Sequence, residues 1–300
     1  MNLQRQIDRS VAVLNKTGIV ILLPRSGSLG VIGIDGREYP VPSREQLQEV
    51  FAGNKELVER KARQGFTRLL LTPIALYVSH LIERLDRAIR HHAAQGKINQ
   101  TKAGTSEADA PLRVNESEPI WIWDRIRLAM DTPRFLYFPQ NYTYRDHQGI
   151  TKEEVIGDSG ICAVPGWSIG LIEPLPIMPR QGQGRVLDGR KELEEYSTPR
   201  EYLQILDTAA YQGESGWTVE DFFIHFLFQL ETTNQVSHDR HDGNALWLLG
   251  AYLPDLLPNA KLVPVGYWDR DAGRRVRVTA HRSANRLKGW VARTIVRLGG

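Results

Sequence analysis

The chain has 300 residues, of which 41% are hydrophobic and 24% are charged. This composition is typical of a globular protein and excludes a disordered or fibrous chain. The length predicts one large domain or two smaller ones. The single cysteine, Cys162, excludes an intrachain disulfide and a cysteine-based zinc or iron–sulfur site, and we expect it to be buried and structural.

The net charge of +3 is distributed unevenly. Residues 261–300 contain ten basic and two acidic residues, so this segment carries +8 and the rest of the chain carries −5. A local excess of positive charge predicts contact with an acidic ligand or with nucleic acid. The ten basic residues are Lys261, Arg270, Arg274, Arg275, Arg277, Arg282, Arg286, Lys288, Arg293 and Arg297.

The first third of the chain, residues 1–97, predicts a small α/β region of unassigned role. Ser43 followed by Gln46 is the pattern of a capping box, which marks the beginning of a helix. Apolar periodicity and turn residues place the other elements. In chain order we expect an amphipathic helix over 1–16, an antiparallel meander over 18–41, helices from 43 and over 55–64, a short apolar run over 66–72 and a long helix over 74–92.

Residues 98–118 are polar and rich in small side chains, and almost none of them could be buried in a core. Such a segment predicts a linker between two domains. The second domain is then residues 119–300. Its predicted elements are short aromatic strands over 120–123 and 135–138, a strand over 167–172, helices over 199–210 and 219–231, and C-terminal hairpins that close on a final strand over 291–298.

Neither a signal peptide nor a membrane-spanning segment is expected. The region 1–16 lacks a long apolar stretch, and the apolar runs 19–23 and 222–230 are far shorter than the roughly 20 residues that cross a bilayer. The sequence therefore predicts a cytoplasmic protein that does not contact the membrane.

Two motifs could carry chemistry, and for both the structural interpretation is preferred. Residues 27–33 hold three glycines after a strand, but they have neither the spacing nor the following helix of a phosphate loop, so we expect a hairpin. Residues 237–243 place His238, Asp239, His241 and Asp242 close together. Such groups could bind a metal or act as an acid–base pair, yet a structural loop is expected. A metal-dependent hydrolase built on this cluster is the weakest alternative.

The C-terminal segment is the most informative, because Tyr267, Trp268 and later valines alternate with unlike polar residues. A basic hairpin with aromatic side chains could bind nucleic acid through phosphate contacts and base stacking. The same pattern also suits a rigid scaffold that displays exposed side chains to a ligand, as antibody loops do.

The ending, a Tyr-Trp pair, a run of heterogeneous polar residues and a strand of the form V-x-R-x-x-V-R-L, resembles the C-terminal variable region of diversity-generating retroelement variable proteins. The segments 167–179, 189–192, 198–203 and 232–236 are similar to uncharacterised bacterial and archaeal proteins with the same kind of ending. The resemblance implies an α+β protein with a C-type-lectin-like fold, the fold of formylglycine-generating enzymes, in its C-terminal part.

The resemblance also implies a function. A reverse transcriptase miscopies adenines of a template repeat, and the altered codons fall at exposed positions of the variable protein, here in the variable region 267–298. Tyr267, Trp268, Val291, Arg293, Val296 and Arg297 would form the frame. The implied ligand-binding, variable positions are Asp269, Asp271, Ala272, Arg275, Arg277, Thr279, His281, Ser283, Asn285, Leu287, Lys288 and Trp290.

The segment departs from the family in being rich in arginine, which favours an acidic ligand and leaves a nucleic-acid-binding accessory protein as the alternative. The catalytic cysteines of formylglycine-generating enzymes have no counterpart here, because Cys162 stands alone and far upstream. We therefore expect a binding protein rather than an enzyme, with no cofactor and no metal, and with a protein or another macromolecule as its partner.

Overall fold

The computed structural model describes residues 3–100, 111–157, 160–175, 177–242, 244–254 and 261–299. Over these residues the chain is an α+β protein, as the sequence predicts, with eight α-helices and several sheets. The helices are α1 (Leu3–Lys16), α2 (Arg44–Gly53), α3 (Lys55–Arg63), α4 (Val78–Ala94), α5 (Asp124–Ala129), α6 (Lys152–Ile156), α7 (Pro199–Leu206) and α8 (Val219–Thr233).

The strands are mostly short, and they are numbered in chain order. They are β1 (Ile21–Leu22), β2 (Leu29–Ile32), β3 (Glu38–Pro40), β4 (Arg68–Thr72), β5 (Ile120–Ile122), β6 (Leu136–Tyr137), β7 (Ser168–Ile172), β8 (Val186–Leu187), β9 (Arg190–Lys191), β10 (Glu214–Gly216), β11 (Ala245–Trp247), β12 (Ala251–Pro254), β13 (Lys261–Asp269), β14 (Arg275–Arg282), β15 (Trp290–Ala292) and β16 (Thr294–Arg297).

Local sequence signals explain where several helices begin. Ser43, Thr151, Thr198 and Thr218 each accept a hydrogen bond from the backbone N–H three residues later, and the side chain at that later position bonds back. These capping boxes satisfy N–H groups that would otherwise have no partner at a helix N-terminus. The predicted meander is also confirmed, because β1, β2 and β3 form an antiparallel three-stranded sheet.

Two larger sheets dominate the structure. The smaller one has the strand order β10-β16-β7-β4 and is antiparallel throughout. In the larger one β13 is central: β11 and β12 pair with one of its edges and β14 with the other. β15 and β5 join this sheet by parallel pairing with β11 and β14 respectively, and β6 pairs with β12.

The N-terminal region and the rest of the chain share one sheet and one hydrophobic core. Strand β4, predicted only as an apolar run, pairs along its whole length with β7, and buried residues from Ile7 to Leu298 form one cluster. Residues on both sides of the predicted linker 98–118 therefore contribute to one cluster, and the division into 1–97 and 119–300 stays a prediction. Composition marks the polar stretch but cannot show that strands on its two sides pair. Residues 101–110 of the predicted linker lie outside the described residues.

Helix α8 contacts both large sheets, and ten of its fifteen residues are buried. It packs against β4 of the smaller sheet and β13 of the larger one, and α1 and α4 also contact it. The contact with β13 depends on Gly266, because a Cβ atom there would lie 2.8 Å from the ring of Phe222. Close packing of this kind allows no extra methyl group without displacement.

The prediction of one final strand over 291–298 is wrong in one respect, because the chain forms two strands there and they belong to different sheets. β15 belongs to the larger sheet and β16 to the smaller one, and the chain crosses between them at Arg293. Arg293 is buried, and its guanidinium donates to the backbone carbonyls of Glu173 and Leu175. Nothing in the local sequence distinguishes this crossing from a continuous strand.

Candidate ligand-binding surface

Strand β14 carries four of the predicted variable positions and is hydrogen-bonded on both sides. It pairs with β13 from Asp269↔Arg275 to Leu262↔Arg282, and with β5 from Val276↔Ile120 to Val278↔Ile122. Because both neighbours hold its backbone, the conformation of β14 does not depend on the side chains that it displays.

The side chains of β14 alternate between the core and the surface. Val276, Val278 and Ala280 are buried in the main core cluster. The residues between them are half-buried and share the opposite face of the sheet, because successive side chains of a strand point to opposite faces. We call this row the β14 strip, and it consists of Arg275, Arg277, Thr279 and His281.

The two arginines of the β14 strip share an aromatic neighbour and are paired with acids. The guanidinium of Arg277 lies 4.5 Å from the ring centroid of Trp121, and its Nη1 donates to Asp269 Oδ2 at 3.1 Å. Arg275 lies 5.9 Å from the same ring and forms an ion pair with Glu118. Stacking on a ring leaves the edge N–H groups of a guanidinium available for bidentate contact with an acid.

The other end of the β14 strip is aromatic. The ring of His281 packs edge-on against Trp290 at 4.6 Å between centroids, and Trp290 packs in turn against Trp247 at 4.9 Å. Burial, followed by the positive charge of Arg240, lowers the pKa of His281. We therefore expect a neutral imidazole here at pH 7, so His281 adds no positive charge to the β14 strip.

Three of the twelve predicted variable positions are buried, although the resemblance implies exposed ones. Asp269 accepts hydrogen bonds from Arg277 and from the backbone of Ala272, Ser283 accepts one from Arg200, and Trp290 packs into the aromatic cluster. We expect replacement of these three residues to cost stability, because each makes its contacts in a buried position. The remaining nine are exposed or half-buried: Asp271, Ala272, Arg275, Arg277, Thr279, His281, Asn285, Leu287 and Lys288.

Half of the basic residues of 261–300 are neutralised by ion pairs within the chain. These five are Arg270 with Asp239 and Asp242, Arg275 with Glu118, Arg277 with Asp269, Arg286 with Glu201, and Arg297 with Asp221. The +8 charge counted from the sequence is therefore not a continuous basic surface. Sequence spacing could not show this, because four of the five pairs join the segment to residues outside it.

The polar cluster of residues 237–242 does not converge on a site. His238 points into the core, where its ring lies 5.3 Å from that of His225 and 5.5 Å from that of Trp217. His241 is exposed and lies 3.4 Å from Asp271, whereas Asp239 is buried and paired with Arg270. Burial raises the pKa of Asp239 and lowers those of His225 and His238 well below the ordinary value. These side chains therefore face different surroundings, and Gly243 at the end of the cluster lies outside the described residues.

Cys162 is half-buried, and burial raises its pKa to about 11. Its sulfur is therefore protonated at neutral pH and is a poor nucleophile.

Over the described ranges, His, Cys, Asp and Glu side chains form no group of three or more that could hold a metal ion. Within the same ranges, every helix is too short or too polar to cross a bilayer.

A cleft that sequence reasoning missed opens beside helix α7. It has a volume of about 580 Å³ and lies between α7, the loop 138–143 and residues 214–216 and 249–250. We call it the α7 cleft. Residues from six separate stretches of the chain line it, so no motif in the sequence could have indicated it.

Comparison with known proteins found no match: no protein-family model, no curated protein and no solved structure is significantly similar to this chain.

Proposed function

We propose that this chain is a ligand-binding protein whose binding surface is the β14 strip together with Asp271, Ala272, Asn285, Leu287 and Lys288. We further propose that a diversity-generating retroelement varies these residues. The observation that carries the proposal is the position of β14, which is paired on both sides while one row of its side chains stays accessible.

The physical argument rests on what a variable surface needs. Each replacement must leave the backbone fixed, and β13 and β5 hold the backbone of β14 whatever its side chains are. The opposite face, with Val276 and Val278, retains the core contacts. A preformed surface also lowers the entropic cost of binding, because little of it must be ordered when the ligand arrives. A protein or another macromolecule with an acidic patch is the proposed ligand, because the pair of Arg275 with the exposed Glu118 is readily exchanged and the exposed Lys288 has no carboxylate partner among the described residues.

The proposal includes a C-type-lectin-like fold for residues 119–300, which rests on the resemblance of the C-terminal sequence. It includes no catalytic step and no cofactor. It revises the set of variable positions, because Asp269, Ser283 and Trp290 make buried contacts and are assigned to the frame. Arg293 and Arg297, frame residues in the resemblance, make buried contacts with backbone carbonyls and with Asp221.

The decisive experiment is deep sequencing of the 3′ end of the gene across a population of source cells. We expect substitutions at the nine accessible positions, traceable to adenines in a nearby repeat, and none at Asp269, Ser283 or Trp290. An invariant 3′ end without such a repeat would refute the proposal.

Nucleic-acid binding is the alternative function. Four cations that have no carboxylate partner among the described residues could contact phosphates, and they are Lys261, Arg274, Arg282 and Lys288. Binding of random single-stranded RNA or DNA that weakens steeply with salt would favour it. Absence of binding at low salt would exclude it.

A further inference from the structure

The α7 cleft is polar and of the size of a small-molecule site. Its volume of about 580 Å³ falls within the roughly 300–1,000 Å³ of ligand pockets. Drug-like ligands usually occupy pockets with mainly apolar walls, whereas amide, hydroxyl and charged side chains form much of this lining. The cleft therefore suits a small ligand that is itself polar.

Two cations line the α7 cleft without a carboxylate partner in the part of the chain that the structure describes, and they are Arg200 and Lys261. Two carboxylates also line it, but Glu214 is already bound to Arg190 and to Lys61. Only the exposed Asp207 remains to offset the two cations. The free charge of the cleft is therefore positive, which favours an anion.

Ser283 joins the segments that carry the two cations. Its backbone N–H donates to the carbonyl of Lys261 at 2.8 Å, and its Oγ accepts from Arg200 Nε at 3.2 Å. The backbone N–H of Arg200 also donates to the Ser283 carbonyl at 3.4 Å. Ser283 thereby holds the segments of Arg200 and Lys261 together, and both residues line the same cleft.

Neutral amides supply the remaining polar groups. Gln140, Gln148 and Gln204 are exposed and line the cleft. Asn141 also lines it; its Nδ2 donates to the carbonyl of Asp146, and its buried Oδ1 has no hydrogen-bond partner among the described residues. A carboxamide both donates and accepts hydrogen bonds, which matches the hydroxyl groups of a sugar.

We propose that the α7 cleft binds a small polyhydroxylated anion, a sugar carboxylate or sugar phosphate. Its acidic group contacts Arg200 and Lys261, and its hydroxyl groups contact the amides. The site is separate from the β14 strip and does not depend on sequence variation there. Failure of one proposal therefore leaves the other standing.

Isothermal titration calorimetry of the full chain tests the site with glucuronate, glucose 6-phosphate, glucose and inorganic phosphate. We expect glucuronate or glucose 6-phosphate to bind, and the tighter of the two identifies a carboxylate or a phosphate as the natural acidic group. Glucose should bind at least about 10-fold more weakly, because it lacks the charge-assisted contacts. Inorganic phosphate should also be weaker, because it lacks the hydroxyl contacts.

The variants Arg200→Gln and Lys261→Gln should each weaken binding of the better sugar anion about 10- to 100-fold. Arg87→Gln is the matched control, because this exposed arginine of α4 lies outside the cleft. The Arg87→Gln variant should bind the sugar anion as tightly as the parent protein does. Loss of the contact with Ser283 could prevent Arg200→Gln from folding, and the melting temperature of each variant shows whether it is folded. In that case the affinity of the Lys261→Gln variant tests the site.

The proposal is overturned if neither sugar anion binds at about 10 mM, a concentration that would reveal even millimolar affinity. It is equally overturned if glucose or inorganic phosphate binds as tightly as the sugar anion. Unchanged affinity in both folded cleft variants would place the binding elsewhere on the molecule and would also refute it.

Discussion

Arginine–carboxylate pairs occur both in the interior of this protein and on the surface around β14, and the two groups differ in solvent exposure. In the interior, the side chains of Arg190 and Glu214 are 0% exposed, and those of Arg297 and Asp221 are 9% and 0% exposed. On the surface, Arg275 and Glu118 are 19% and 45% exposed. The chemistry of the pairs is the same, but water screens only the second group.

This difference in exposure separates pairs that stabilise the fold from pairs whose arginine can contact a ligand. The interior pairs join distant parts of the chain, because Glu214 of β10 binds Arg190 of β9 and Lys61 of α3, and Asp221 of α8 binds Arg297 of β16. Removing one partner there leaves a charge buried and unpaired. A surface pair such as Arg275–Glu118 costs little to lose, so Arg275 of the β14 strip is free to serve a ligand instead.

The largest effect should come from the interior. We expect Asp221→Ala to lower the free energy of unfolding by about 3–5 kcal/mol, because Arg297 loses its partner and Thr72 loses a hydrogen-bond acceptor. Glu118→Ala, the matched surface change, should cost less than about 1 kcal/mol. Urea unfolding of both variants measures the difference, and equal costs would show that exposure does not separate the two groups.

Acid should destabilise the protein through its two buried histidines. Burial, with the nearby positive charges of Arg293 and Arg68, lowers the pKa of His225, and burial with Arg293 and His225 lowers that of His238. The unfolded chain binds protons at these sites below about pH 6.5, whereas the folded chain does not. The free energy of unfolding should therefore fall by up to about 2.7 kcal/mol per pH unit as the pH drops below 6.5.

The variant His225→Phe tests the origin of this slope, since it removes one of the two groups and keeps a planar ring beside Trp217. The slope below pH 6.5 should fall by about 1.4 kcal/mol per pH unit. Chemical denaturation at several pH values gives the slope, and an unchanged value would assign the acid sensitivity to other groups.

A smaller effect should distinguish two aspartates of the predicted variable set. We expect Asp269→Ala to cost about 1–3 kcal/mol, because Arg277 and the N–H of Ala272 lose their acceptor. Asp271→Ala, at an exposed position, should stay within about 0.5 kcal/mol of the parent. Thermal unfolding of the two variants measures both losses of stability. A loss below about 0.5 kcal/mol for Asp269→Ala would return position 269 to the variable set.

The smallest effect is expected at Lys288. This side chain is exposed and has no ion-pair partner among the described residues, so Lys288→Ala should change the free energy of unfolding by less than about 0.5 kcal/mol. His281→Ala should cost more, because the imidazole packs on Trp290. A large loss of stability from Lys288→Ala, measured by thermal unfolding, would argue against a replaceable surface in this part of the chain.

The sequence by itself determined the features that depend on neighbouring residues. The capping boxes at Ser43, Thr198 and Thr218 begin helices where they were predicted, and the meander and the strand before Pro174 also form. A cap or a turn is made by side chains three or four positions apart, so its pattern can be read directly. The α+β class follows from the number and type of these elements.

Only the tertiary structure decided which distant residues meet. It pairs β4 with β7 across the predicted domain boundary, divides the last strand between two sheets at Arg293, and buries His238 beside His225. It also brings Arg200 and Lys261 to one cleft and neutralises half of the basic residues of 261–300. Each of these outcomes depends on contacts between residues far apart in the chain, which local propensity does not encode.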